Sequence, residues 1–209
     1  MSRDDSDLQI RPLARAEGSA LRMAWNSARV TKTDAEPARG ADERIVGGNR
    51  VQLLTDGQET FAALEAQIRA ARHSIHITTF ILARDQTGRR LVKLLAARAR
   101  EGVKVRLLLD AVGCMFLSRD FFHRLKRAGG EVAWFMPVFH FATRGSANLR
   151  NHRKIAVFDY CTAIVGGHNL AREYMGSQPW RKRWRDYSAI VTGRAAVQLH
   201  EVVVSDWCF

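Results

Sequence analysis

From Val46 onward the chain alternates between two hydrophobic periods. VQLL, SIHITTFIL, VKVRLLLD and EVAWFMP are short runs rich in β-branched and large apolar residues, and they predict strands. Between them, ETFAALEAQIRAA sets Phe61, Leu64, Ile68 and Ala71 on one helical face. RRLVKLLAARAREG predicts a second helix, closed by Gly102, and DFFHRLKRAGG a third, with TDGQ and DQTG as turns. This rhythm predicts a sheet covered by helices on both faces. KIAVF and AIVGG then follow each other with only DYCT between them, which is hairpin spacing. The expected fold class is therefore α/β, a mixed β-sheet sandwiched by helices.

The first 44 residues have a different texture, rich in Arg, Ala, Asp and Glu, and they close on the loop-like TKTDAEPARGADER. Within them RPLARAEGSALRMAWNSARV places Leu13, Leu21 and Trp25 near helical spacing among arginines. The reading there is a flexible tail or a helix packed on the domain, with a membrane-surface helix as the alternative. The division expected is thus a basic tail or peripheral helix over 1–44 and a single domain over 45–209.

Charge narrows the partners. Lys and Arg number 33 against 21 Asp and Glu, a formal net charge of +12, which favours phosphate esters, nucleic acid or acidic lipid surfaces. Cys114, Cys161 and Cys208 form no CxxC pair and read as reduced thiols rather than a disulfide framework or a zinc site. No apolar run approaches the ~20 residues of a membrane span, and the charged N-terminus does not read as a signal peptide.

The chemistry concentrates in NHRKIAVFDYCTAIVGGHN, Asn151 to Asn169, which has the pattern H-x-K-x4-D-x6-G-G-x-N. On a strand His152 and Lys154 share a face, so an imidazole and an ammonium converge on one phosphate. Gly166 and Gly167 allow close backbone approach, and Asn169 stands where NLAREYM predicts a helix start, near amides that favour an anion. Asp159 ends a strand and opens a turn, so the residues alone read it as holding the hairpin through local amides. RKRWR, Arg181 to Arg185, reads either as a solvated loop or as a phosphate or headgroup contact made by Arg181, Arg183 and Trp184. Of the remaining histidines, His73 and His76 read as wall or core residues on a strand, and His123 and His200 as partly exposed helical positions. His140 could line an entrance, and His168 fills the free position of G-G-x-N.

With that motif the chain resembles the phospholipase D superfamily, whose signature is the HKD pattern, and within it the bacterial cardiolipin synthases. GNRVQLLTDGQETFAALEAQIRAARHSIHITTFIL, GVKVRLLLDAVG, AGGEVAWFMP, NLRNHRKIAVFD and WRDYSAIVTG carry the likeness in order, from Gly48 to Phe209. The resemblance implies that His152 attacks the phosphorus of a phosphodiester to give a phosphohistidine, with no metal and no cofactor. Lys154 and Asn169 would stabilise the phosphoryl oxygens, and Asp186 of WRD would orient the imidazole. Asp159 carries the third letter of the motif.

The same resemblance implies phosphatidylglycerol as substrate and a peripheral place on the inner face of a bacterial membrane. It also implies a second HKD half or a homodimer, because cardiolipin synthases carry two such motifs and this chain one. A dimeric nuclease acting on nucleic acid, and a lipid-binding half without activity of its own, are the alternatives.

Overall fold

The computed structural model describes residues 43–136 and 150–209. The helix read over the N-terminal arginines and His140 lie outside the described residues. Eight strands, β1 (Glu43–Val46), β2 (Asn49–Leu54), β3 (Ser74–Thr79), β4 (Lys104–Asp110), β5 (Glu131–Phe135), β6 (Ile155–Phe158), β7 (Thr162–Gly166) and β8 (Ser188–Thr192), form one sheet. Its order is β1-β2-β8-β7-β6-β3-β4-β5. β3, β4 and β5 pair in parallel and every other neighbour is antiparallel, so the sheet is mixed, as expected.

The α-helices are α1 (Gly57–Ala70), α2 (Gln86–Arg100), α3 (His123–Arg127) and α4 (Arg194–Cys208). The third predicted helix is broken: a 3-10 turn over Arg119–Phe122 precedes the five residues of α3, and Gly129, at φ 90°, follows its end. Asp56 and Asp85 cap α1 and α2, each accepting backbone N–H groups of the first turn, which is what a helix start preceded by a short polar residue requires.

β2 to β5 run the same way, so the connections through α1, α2 and α3 are parallel crossovers. Their shared hand puts all three helices on one face. There Phe61, Leu64 and Ile68 of α1 and Leu91 and Leu95 of α2 close over Ile75, Ile77, Leu107 and Leu109 of the sheet. Each such side chain contributes about 1.5–3 kcal/mol by leaving water. The opposite face is covered by α4, whose Ala196 and Val203 pack on Ile155, Val157 and Ala163.

The period of two along β3 turns Ile75 and Ile77 toward the first core and His76 toward α4. His76 is buried, as its place on a strand suggests, whereas His73 lies exposed just before β3. His200 departs from its expected partial exposure: it is 1% exposed, with Nε2 3.0 Å from His76 Nδ1 and the two rings stacked at 5.0 Å. Covering the sheet requires the inward face of α4 to be buried along its length, and His200 is on that face.

Asp159 sits at the far end of β6 from His152. Asp159 and Tyr160 have φ of 48° and 66°, the signs that a tight hairpin of the I′ kind needs, and an aspartate tolerates them well. Its carboxylate does not bond the hairpin's own amides, as the sequence reading has it. Oδ1 accepts the N–H groups of His73 and Ser74 at 2.7 and 2.9 Å, and Oδ2 that of Arg72 at 2.8 Å. These amides lead into β3, so Asp159 ties the hairpin to the central strand.

Asp159→Ala is expected to lower the unfolding free energy by about 2–4 kcal/mol in a urea titration, since three amides lose a charged acceptor. Asp159→Asn, which keeps the turn but has one acceptor oxygen, is expected to lose about half as much. Unchanged midpoints for both would mean that the contact is not structural.

Candidate active site at the sheet edge

The C-terminal ends of β3, β4 and β7 and the N-terminal ends of β6 and β8 meet at one edge of the sheet, the edge at which open α/β sheets bind ligands. The motif histidine arrives there on the segment before β6, and that segment is held from two sides. Asp110, the last residue of β4, is buried. Its Oδ1 accepts the N–H groups of Val112 and Gly113 at 2.9 and 3.0 Å, and its Oδ2 that of Asn151 at 2.9 Å. Arg150 adds charge compensation, with Nη1 3.6 Å from Oδ1.

On the other side Asn151, only 2% exposed, donates through Nδ2 to Asp206 Oδ2 at 2.8 Å and accepts the N–H of Arg153 on Oδ1 at 3.1 Å. The Arg153 guanidinium reaches both oxygens of Asp206, at 2.9 and 3.1 Å. His152 therefore stands between two residues that β4 and α4 hold in place.

His152 itself is exposed, and its ring lies 4.6 Å from that of Phe80. Phe80 is fixed by the loop after β4. The Cys114 thiol donates to Phe80 O at 3.3 Å and accepts the N–H of Leu82 at 3.2 Å, and Gly113 is packed so close to Phe80 O that any side chain there would collide. Burial pushes the Cys114 thiol up to about 11, so it stays protonated and serves as this clip.

Lys154 and His152 lie just before β6 rather than within it, and their side chains meet. Lys154 Nζ is 3.1 Å from His152 Nδ1, donates to His152 O at 2.6 Å and sits 5.4 Å from the Phe80 ring centre. Partial burial lowers the Lys154 pKa from its ordinary value, and the negative charge of Asp186 opposes that shift.

The two glycines are explained by β8. A side chain on Gly166 would strike Ser188, and one on Gly167 would lie within 1.9–2.3 Å of the Asp186 carboxylate. The backbone they approach is thus the protein's own, and Gly167 is the seat of Asp186. Asp186 Oδ1 accepts the N–H of Tyr187 at 2.8 Å. Among the described residues the hydrogen-bond contact of the His152 ring is Lys154, not Asp186. Asp186 acts here through its charge, which Lys154 and His168 both feel.

Asn169 is buried, with Oδ1 accepting the N–H of Ile81 at 3.1 Å. That bond fixes the amide's orientation and leaves the NH2 end to donate. The helix read over NLAREYM does not form. Leu170 bridges Leu82, with Ala83 N–H donating to Leu170 O at 3.1 Å and Leu170 N–H to Ile81 O at 2.9 Å, and only one turn follows through Ala171 and Met175. Asn169 thus has no helix N-terminus beside it.

His168, at the free position of the motif, is buried. Its Nδ1 is 2.8 Å from Ser188 Oγ, and burial lowers its pKa, so it is neutral near pH 7. It borders a cavity of about 30 Å³, which Lys154, Gly166 and Ser188 also line. Of the basic cluster, Arg181 and Trp184 are exposed and Arg183 half-buried, its Nη2 donating to Gln178 O at 2.8 Å. Among the described residues no group of His, Cys, Asp and Glu is arranged to hold a metal ion.

The structure thus brings together His152, Lys154, Asn169, Gly166, Gly167 and Asp186 at one edge and leaves Asp159 at the other. Sequence reasoning passed over Phe80, Asp110, Asn151 and Asp206. Only Asp110 carried a local signal, a strand-ending aspartate before a glycine-containing turn.

The chain is similar to known proteins in sequence and in fold. A family model described as the PLD-like domain of cardiolipin synthase matches residues 64–205. The cardiolipin synthase of Halalkalibacterium halodurans is 38% identical over 169 residues, which is 81% of this chain and 34% of that protein. The chain therefore spans about a third of the length of the curated relatives it matches. Among solved structures, Nuc from Salmonella typhimurium, a phospholipase D family member, superposes with a TM-score of 0.56 at 16% identity, over 76% of this chain and 94% of its own. NucT from Helicobacter pylori does so with a TM-score of 0.58 at 13% identity, over 76% and 96%. The chain belongs to the phospholipase D superfamily, as a PLD-like domain of the cardiolipin synthase family.

Proposed function

We propose that this chain is one catalytic half of a phosphatidyltransferase of the cardiolipin synthase type. The observation that carries the reading is the meeting of exposed His152 with Lys154 over Phe80, in a domain 38% identical to a cardiolipin synthase. In the proposed reaction His152 Nε2 attacks the phosphorus of one phosphatidylglycerol. A P–N bond forms, the P–O bond to glycerol breaks, and the alkoxide takes a proton from a general acid. The hydroxyl of a second phosphatidylglycerol then loses its proton and attacks the phosphohistidine, giving cardiolipin and restoring the imidazole. Lys154 and the Asn169 amide would hold the equatorial oxygens.

The resting geometry imposes a condition on this chemistry. While Nδ1 accepts from the Lys154 ammonium, a neutral ring carries its proton on Nε2, the nitrogen that must attack. A phosphate that draws Lys154 away frees Nδ1 to carry the ring's single proton, which leaves the Nε2 lone pair to attack, and a carboxylate must then accept the hydrogen bond of Nδ1–H. Asp186, seated on Gly167 and already biasing Lys154 by its charge, is the proposed carboxylate.

The general acid is proposed to come from a second HKD half, whether a separate subunit or another copy. Among the described residues the other histidines are far from that role: His73 and His123 are exposed elsewhere, His76 of β3 and His200 of α4 are stacked on each other in the interior, and His168 is buried against Ser188. No described helix is long and apolar enough to cross a membrane. Arg181, Arg183 and Trp184 are proposed to meet anionic headgroups at the membrane surface, on its inner face by likeness to the family.

With phosphatidylglycerol vesicles and a chelator, the chain together with a second HKD half is expected to yield cardiolipin by mass spectrometry. His152→Ala should reduce the rate by about 10³-fold or more. Product that survives His152→Ala would overturn the reading. Cleavage of DNA in chelator, strongest at low salt and without lipid product, would favour the nuclease alternative that the net charge of +12 suggests.

Two further outcomes follow from the same geometry. Asp206→Ala releases Asn151 and Arg153 without touching the reacting atoms. It is expected to lower kcat about tenfold with KM little changed, and Asp206→Asn, which still accepts from Asn151, to recover much of the rate. Equal kcat in all three would remove the positioning role. Lys154 must be charged, and its charge is lost as pH rises through a pKa that burial has lowered. The alkaline limb of kcat is therefore expected below the ordinary lysine range, and Lys154→Arg should abolish that limb whatever its residual rate.

A further inference from the structure

A larger cavity, of about 150 Å³, opens between the first turn of α2 and the loop from Arg172 to Arg183. It shares no lining residue with the cavity beneath Lys154. Three arginines face it, and their partners differ. Arg90 is claimed by the buried carboxylate of Glu65 through both Nε and Nη2. Among the described residues Arg183 bonds only main-chain oxygens, Arg172 O at 3.4 Å and Gln178 O at 2.8 Å. Arg172 has no side-chain hydrogen bond among the described residues; its guanidinium lies 5.1 Å from the Trp180 ring, while its backbone N–H donates to Asp85 Oδ2 at 2.7 Å.

Two guanidinium groups without a carboxylate partner thus converge on one concavity, where their mutual repulsion is unfavourable unless an anion is present. Asp85, which caps α2, offsets part of that charge and leaves an excess. Gln86 and Ser177 add neutral polar groups to the lining. Gly176 keeps the floor open: a side chain there would lie 2.9 Å from Thr87 Oγ1 and 3.2 Å from Arg183 Nη2. Planar donor forks on two sides match an oxyanion better than a compact halide, and a tetrahedral phosphate better than a single carboxylate.

We propose that this cavity is a second anion site that holds a phosphate ester on Arg172 and Arg183, separate from the phosphate that His152 attacks. The anion could be a lipid headgroup or a soluble phosphate ester. Only the lipid source rests on the phosphatidyltransferase reading; the site itself does not.

The test titrates inorganic phosphate into the chain and follows Trp180, with Trp180→Phe to assign the signal and melting temperatures to confirm folding. Arg172→Gln is the informative variant, because its side chain holds no hydrogen bond among the described residues. It is expected to raise the dissociation constant for phosphate at least tenfold, as is Arg172→Gln/Arg183→Gln. Lys154→Ala and His152→Ala are expected to change it less than twofold.

A second arm measures sedimentation with vesicles of phosphatidylglycerol and of phosphatidylcholine. Binding to phosphatidylglycerol that falls at least tenfold in Arg172→Gln and is competed by phosphate identifies a headgroup site. Unchanged vesicle binding with lost phosphate binding identifies a site for soluble esters. Phosphate that binds Arg172→Gln as well as wild type, or that is lost in Lys154→Ala alone, overturns the proposal. Retained phosphate binding in a chain that makes no cardiolipin even together with a second HKD half would sink the proposed function and leave this site standing.

Discussion

The arrangement at the sheet edge depends on one buried charge. Asp110 has no exposed side-chain surface, and a carboxylate in that position is costly unless its lone pairs are met. Two amides of its own loop satisfy one oxygen. The other requires the N–H of Asn151, from a segment 41 residues away. The β4 turn and the approach to β6 are therefore solved together. The turn brings Gly113 and Cys114 onto Phe80, and the approach delivers His152 onto the same ring. His152, itself exposed, gains its position from groups that are not.

The second constraint comes from β8. Its entry crowds β7 so closely that positions 166 and 167 cannot carry side chains, and the space left free is filled by Ser188 and by the Asp186 carboxylate. The glycine pair of the motif is thus a packing requirement of the acid. Lys154 answers to that acid: burial favours its neutral form and Asp186 its charged form, so the acid offsets part of the cost of a cation at a half-buried position. His168, deeper and neutral, fills the strand space behind them.

Much of this was legible in the residues. The strands VKVRLLLD and KIAVF and the helix faces of Phe61, Leu64 and Ile68 are local patterns, and their periods fixed which side is buried. His152 and Lys154 could be paired because a single residue, Arg153, separates them in the sequence. What was not legible depends on distance or on competition. Asp159 looked like a hairpin residue, since nothing local reveals the three amides 85–87 positions upstream. The helix over NLAREYM has good propensity, but Leu170 is taken by Leu82, and tertiary pairing outweighs propensity there. Asn151 and Asp206, 55 residues apart, meet only because α4 covers the second face.

Charge follows the same division between near and far. The net charge of +12 predicts an affinity for anions but not where they bind, because exposed charges are screened beyond a Debye length of about 8–10 Å. Among the described residues several arginines are spent on carboxylates: Arg90 on Glu65, Arg153 on Asp206, Arg150 on Asp110. Those without a carboxylate partner matter more, because in a concave, partly desolvated place a cation is worth more to an anion than on open surface. Lys154 occupies one such place and Arg172 with Arg183 another, with separate linings. If both take anions as proposed, two such hollows on one small domain suit a substrate or surface that presents phosphates repeatedly better than one that presents a single phosphate.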